Sequence, residues 1–154
     1  MSRRVALSVV GGVVLLGGAG AGAGAFAFAQ AAEPAPALTH SAARYTAPDG
    51  DRDGALAFAT EVTASSGVKS VKVLAWPQNS SFAKKGLTAK DMAAVESADC
   101  KPSGKDAVRC TYTAKVTSAV AASSPRGAWH VAVLATAQDG TTTLDTEAAG
   151  FTVR

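Results

Sequence analysis

Asp49, Asp51 and Asp53, followed at once by Gly54, form the sharpest chemical motif in this 154-residue chain. Carboxylates at alternate positions ahead of a glycine open an EF-hand-type calcium loop, and Leu56 falls where such loops place an aliphatic residue. The match then fails. Position 12 of the loop is Thr60 instead of a bidentate Glu, and Glu61 comes one residue late. Weak calcium binding between strands stays an alternative, with Glu61 or Asp139 completing the site. The plainer reading is a solvated Asp/Gly turn.

Hydrolysis needs a base, and the chain has only two histidines, His40 and His130. His40 falls in an expected linker. His130 lies mid-strand beside Trp129, where a structural role outweighs general-base work. No serine occupies a Gly-x-Ser-x-Gly elbow, and no spacing selects a carboxylate pair among Glu61, Glu96 and Asp99. The chain is therefore expected to be no enzyme, with no catalytic residue, metal or cofactor. Cys100 and Cys110 are the only cysteines. An even count in an exported chain argues for a disulfide, and two cysteines without further ligands at zinc spacing do not make a metal site.

Export is read from the first 31 residues. Arg3 and Arg4 precede an apolar, glycine-rich run from Val5 to Phe28, and Ala27-Phe28-Ala29 and Ala29-Gln30-Ala31 offer small-x-small cleavage sites. This is the order of a secretory signal peptide. The run is long enough to span a bilayer, but its glycines and the lack of a following basic cluster favour cleavage, after Ala29 or Ala31. Ser2-Arg3-Arg4 is also a partial twin-arginine signal, so Sec and Tat routes both stay open, with Sec preferred. No cysteine near the cut invites a lipid, and no stable membrane anchor is expected. Without Arg3 and Arg4, the 15 basic residues fall to 13 against 12 acidic ones, a net charge of +1. With no basic patch interleaved by aromatics, nucleic-acid binding has no support.

Residues 32–43, rich in Ala and Pro, read as a flexible linker, and 44–154 as one folded domain. Its dominant period is two. Ala55 to Thr63 puts Leu56, Phe58, Thr60 and Val62 on one face of a strand. Val68 to Trp76 is a second strand, stopped by Pro77. Leu87 to Val95 is the expected helix, with Thr88 as N-cap and Asp91 at N3. Ala98 to Lys101 and Val108 to Val116 pair as a hairpin that Cys100 and Cys110 would close. Ser118 to Ser124 is a helical turn or loop. Trp129 to Ala137 is apolar on both sides, which suggests a central strand. Asp139-Gly140 marks a tight hairpin, and Thr141 to Leu144 and Gly150 to Val153 close the sheet. These elements define an all-β fold, an antiparallel β-sandwich of about seven strands with one short helix in the middle loop.

Ser66-Gly67-Val68 and the run Gly127-Ala128-Trp129-His130-Val131 to Ala137-Gln138-Asp139-Gly140 resemble passages of bacterial Ig-like modules. The set Ala43-Arg44-Tyr45-Thr46-Ala47-Pro48, Val73-Leu74-Ala75-Trp76-Pro77 and Cys110-Thr111-Tyr112-Thr113 is similar to a secreted actinobacterial family, domain of unknown function 5707. The resemblance covers Ala43 to Arg154. It implies an exported Ig-like fold and supplies no activity and no site.

The expected function is thus a secreted, non-enzymatic Ig-like binding or structural module. Its partner would be an extracellular protein or polysaccharide, and its oligomeric state is open. A small hydrolase or a protease inhibitor presenting the cysteine hairpin is the runner-up. Trp129 is expected in the core. Trp76, at a strand end beside Pro77, is the candidate contact residue, and the sandwich ends and the segment from Gln78 to Val95 are the expected contact regions.

Overall fold

Alternation along strand β2 (Gly54–Thr63) carries Leu56, Phe58, Thr60 and Val62 into the interior, as the sequence predicts. Phe58 and Val62 meet Val71 and Val73 of β3 (Val68–Pro77), Cys110 of β5 (Ala107–Val116), and Val131, Val133 and Ala135 of β6 (Gly127–Ala137). This is the main core. The computed structural model describes residues 33–154. The expected signal peptide, 1–31, lies outside the described residues.

Three further strands, β1 (Ala37–Thr46), β4 (Asp99–Gly104) and β7 (Thr142–Val153), complete two sheets, ordered β1-β2-β5-β4 and β3-β6-β7. Every pairing is antiparallel. Lettered A to G in chain order, the strands are arranged ABED against CFG, the order of a constant-type immunoglobulin sandwich. The expected central strand is central: β6 lies between β3 and β7.

The linker expected over 32–43 is corrected from Ala37 onward, where the chain pairs with β2 as an edge strand. Its small, mostly solvent-facing residues hide the alternation that marks a strand. A bulge between Thr39 and Ala42 puts His40 at φ 53°. The bulge also brings the Ser41 hydroxyl to 2.8 Å from that of Thr60, the one buried polar residue among those described. Thr60 donates as well to the Thr39 carbonyl at 3.3 Å, so burial of its hydroxyl is offset by hydrogen bonding. Gly54 is required where β1 hands over to β2, because a Cβ there would stand 2.1 Å from the Thr46 carbonyl oxygen. The two closing strands expected at the C-terminus are one strand, β7, interrupted opposite Ala132. The strand count therefore agrees although its members differ.

Residues 78–98 leave β3 and fold back over the outer face of the three-stranded sheet. Leu87 and Met92 pack there on Trp76, Ala132 and Leu134, forming a second apolar cluster. Full burial of Met92 alone contributes about 2 kcal/mol. The expected helix over Leu87–Val95 is not formed. Helix α1 is Ser81–Lys85, and 89–94 is a run of turns. The capping pair exists nonetheless: Thr88 donates to Asp91 from its backbone N–H at 2.9 Å and from its hydroxyl at 2.7 Å. These bonds hold the Asp91 carboxyl below the usual carboxylate range, with help from Lys85. After one turn the chain drops Met92 into the cluster and bends back to bond the edge of β3. There Val73 N–H donates to the Glu96 carbonyl and Ala98 N–H to that of Val71. The short helical segment expected near 118–124 is present as α2, Ser118–Ser123.

Beyond Ala98 the chain crosses to the other sheet as β4, a strand exposed at every residue. Burial does little to hold such a strand. Its ladder with β5 does, together with the Cys100–Cys110 disulfide, whose Cα atoms face each other at 4.0 Å. Unlike the inter-sheet bridge of antibody domains, this one joins neighbours within a sheet. Chain entropy over so short a loop gives about 2–3 kcal/mol. Reducing the disulfide is expected to lower the melting temperature by roughly 10 °C in calorimetry. An unchanged melting temperature would show that the ladder alone holds β4.

Candidate functional site

Trp76 is not an exposed contact. It is 5% exposed, and its indole N–H donates to the Thr146 carbonyl at 2.9 Å. Its ring meets Phe82 edge-on with centroids 6.5 Å apart and His130 at 4.8 Å. The physical reason lies in the cover. Alternation does turn Trp76 away from the main core, but the outer face it joins is itself roofed by residues 78–98. The signal that could have revealed this is the two-sided apolarity of β6, since Ala132 and Leu134 need a cover of their own.

Beside Trp76, between α1 and β7, lies a cleft of about 470 Å³. Gln78, Phe82, His130, Thr146 and Glu147 contribute to its lining. It owes its shape to the irregularity in β7. Val131 pairs with Ala149 and Val133 with Asp145, so Thr146, Glu147 and Ala148 bow out opposite Ala132. The Asp145 carboxylate accepts from Glu147 N–H at 3.0 Å and steadies the bow. Bulges of this kind re-aim side chains beside sites. His130 and Glu147 thus share one depression, and no serine or cysteine is among the residues that line it.

On the opposite side of β6, Trp129 is half-buried instead of fully packed in the core. Its indole N–H donates to the Pro125 carbonyl at 2.9 Å. Phe151 stacks between Trp129 at 5.8 Å and Tyr45 at 5.7 Å, giving a three-ring ladder. Tyr45 belongs to one sheet and the other two rings to the second, so the ladder bridges the sheets between β1 and β7. Such stacked pairs contribute about 0.5–1.5 kcal/mol each beyond their buried area. Behind the ladder an apolar pocket of about 160 Å³ opens between the sheets, lined in part by Leu56, Ala75, Val116 and Val153. Val120 of α2 also lines it and is 46% exposed, the one exposed large hydrophobic residue among those described. The Thr117 hydroxyl caps α2 by accepting from Val120 N–H at 3.2 Å.

The aspartate motif does not assemble. Asp49 and Arg52 exchange backbone hydrogen bonds of 3.0 Å in a tight turn, and the Asp53 carboxylate pairs with Lys115 at 2.6 Å. Gly54 already begins β2, so the loop is a hairpin turn between strands instead of the opening of a helix. Among the described residues no group of three or more His, Cys, Asp or Glu is placed to hold a metal ion. Cys100 and Cys110 are bonded to each other, and His40 is exposed on the bulge of β1.

Tyr112 carries the largest resolved titration shift. Burial, and then its 2.8 Å hydrogen bond to the Glu96 carboxylate, push its hydroxyl up to about 12. The pair fastens the crossing segment at Glu96 to β5, away from both depressions, which marks it as a structural strut.

Strand order places the chain among antiparallel two-sheet sandwiches with the ABED/CFG arrangement. Within that class it belongs to the family of unknown function DUF5707, whose model matches residues 38–135. The match begins inside β1 and ends in β6. No curated protein and no solved structure matches the chain.

The raised Tyr112 value predicts a stability term that is fully present below pH 10 and lost as pH rises toward 12. In a Tyr45→Phe variant, which leaves Tyr112 as the single tyrosine, absorbance titration should give a midpoint near 12. Adding Glu96→Gln should lower it. A midpoint at the ordinary tyrosine value in both variants would contradict the strut.

Proposed function

We propose that this chain is an exported, non-enzymatic recognition module that docks an extracellular protein at the open end of its sandwich. The leader read from residues 1–31 and the disulfide support export, since such bonds persist in oxidising compartments. The observation that carries the docking reading is the Tyr45–Phe151–Trp129 ladder beside an apolar pocket rimmed by exposed Val120. Half-buried aromatics around a small dry pocket are the usual anchor sites of protein interfaces. A pocket of about 160 Å³ suits one apolar side chain. The pocket is walled mainly by aliphatic and aromatic side chains, which favours a protein anchor over a polysaccharide.

Val120→Asp tests this with little risk to the fold, because the side chain is largely in solvent. Wild-type and variant domains are cross-linked in the culture filtrate of the producing cells. A protein captured by the wild type and lost in Val120→Asp supports the reading. Equal capture by both, or retention of polysaccharide only, overturns it.

A further inference from the structure

We infer that the cleft on the outer face of the three-stranded sheet is a second, independent site, one that holds a neutral saccharide ring. Its size, about 470 Å³, falls in the range of small-molecule sites. Its base is apolar: Trp76 and Leu87 lie buried beneath it, and the half-buried Phe82 ring, set at 76° to Trp76, is the ring surface that a ligand can reach. Lys85 stands 4.8 Å over the Phe82 ring and pairs with Asp91, which steadies that wall. Above the floor stand Gln78, His130 and Glu147. Among the described residues none of these three side chains hydrogen-bonds to another protein group, in contrast to Trp76, whose N–H is committed to Thr146.

The chemistry of this set narrows the ligand. An amide offers donors and an acceptor, a neutral imidazole one of each, and a carboxylate only acceptors. That mixture matches vicinal hydroxyl groups, which both donate and accept. No Lys or Arg lines the cleft, and Lys85, over the Phe82 ring, is already paired with Asp91, so an anion would find no free counter-charge there. One carboxylate is too few for a divalent cation. A sugar ring has both required faces: C–H groups to lie on the Phe82 ring and hydroxyls to meet the rim. The bowed segment of β7 brings Glu147 to that rim, while its Thr146 carbonyl accepts the Trp76 indole N–H.

The test is a heteronuclear NMR titration of the disulfide-intact domain with two neutral trisaccharides, cellotriose and chitotriose, and with tetramethylammonium as a cationic control. Saturable shifts at the Gln78, His130 and Glu147 amides with a millimolar Kd for either sugar are expected. A Gln78→Ala/Glu147→Ala variant, altered only at exposed positions, should bind at least about tenfold more weakly. Val120→Asp should bind the sugar as the wild type does, which separates this site from the aromatic ladder. The inference fails if neither trisaccharide shifts these amides, if only tetramethylammonium does, or if the double variant binds unchanged.

Discussion

Strand β6 must be covered on both faces, and much of the molecule follows from that. Its residues alternate between two apolar sets: Val131, Val133 and Ala135 point into the sandwich, while Ala132 and Leu134 point out of it. A two-layer sandwich satisfies only the first set. The long connection after β3 satisfies the second by laying Leu87 and Met92 against Trp76, and then returns to bond the edge of β3. One strand thus ties together two apolar clusters, and residues 78–98 act as a third partial layer.

Both depressions arise where this covering stops. At the start of β6, Trp129 faces the inter-sheet space and the next residue, His130, faces the outer cleft. Each lies at the margin of its cluster, half-buried. The ladder finishes the inner core with aromatic faces at the seam between β1 and β7, and the bow in β7 leaves the outer cover open beside His130. Both depressions are thus lined jointly by strands and by the connections that follow β3 and β5, and the tight turn at Asp49–Arg52 serves the hairpin alone. The opposite margin of the other sheet is handled differently. There, β4 has no burial to secure it, and the disulfide and the Tyr112–Glu96 bond secure the crossing into it.

The legible parts of the fold were those with strong alternation. β2, β3 and β6 read correctly because each buries one or both faces deeply, β5 because its residues alternate between sheltered and exposed, and the cysteine hairpin followed from spacing. β1 was hidden because an edge strand of small residues does not alternate in hydrophobicity, so Ala37 to Ala43 looked like linker. The Thr88–Asp91 pair forms as the residues suggested, yet the demand to bury Met92 and regain β3 overrode the helix it would start. Trp76 failed for the same reason: whether an outward-facing residue meets solvent depends on a tertiary cover that strand periodicity does not encode. The ladder was illegible because Tyr45, Trp129 and Phe151 meet only through sheet register, from strands far apart in the chain.

The central claim, a sheet sealed on both faces, is tested most directly at Trp76. The chain has two tryptophans, so Trp129→Phe leaves Trp76 as the sole indole. Its fluorescence should be blue-shifted and resist quenching by acrylamide in the native domain, and should become quenchable only on unfolding. Red-shifted, readily quenched emission under native conditions would mean that residues 78–98 do not cover the outer face, and would contradict the account.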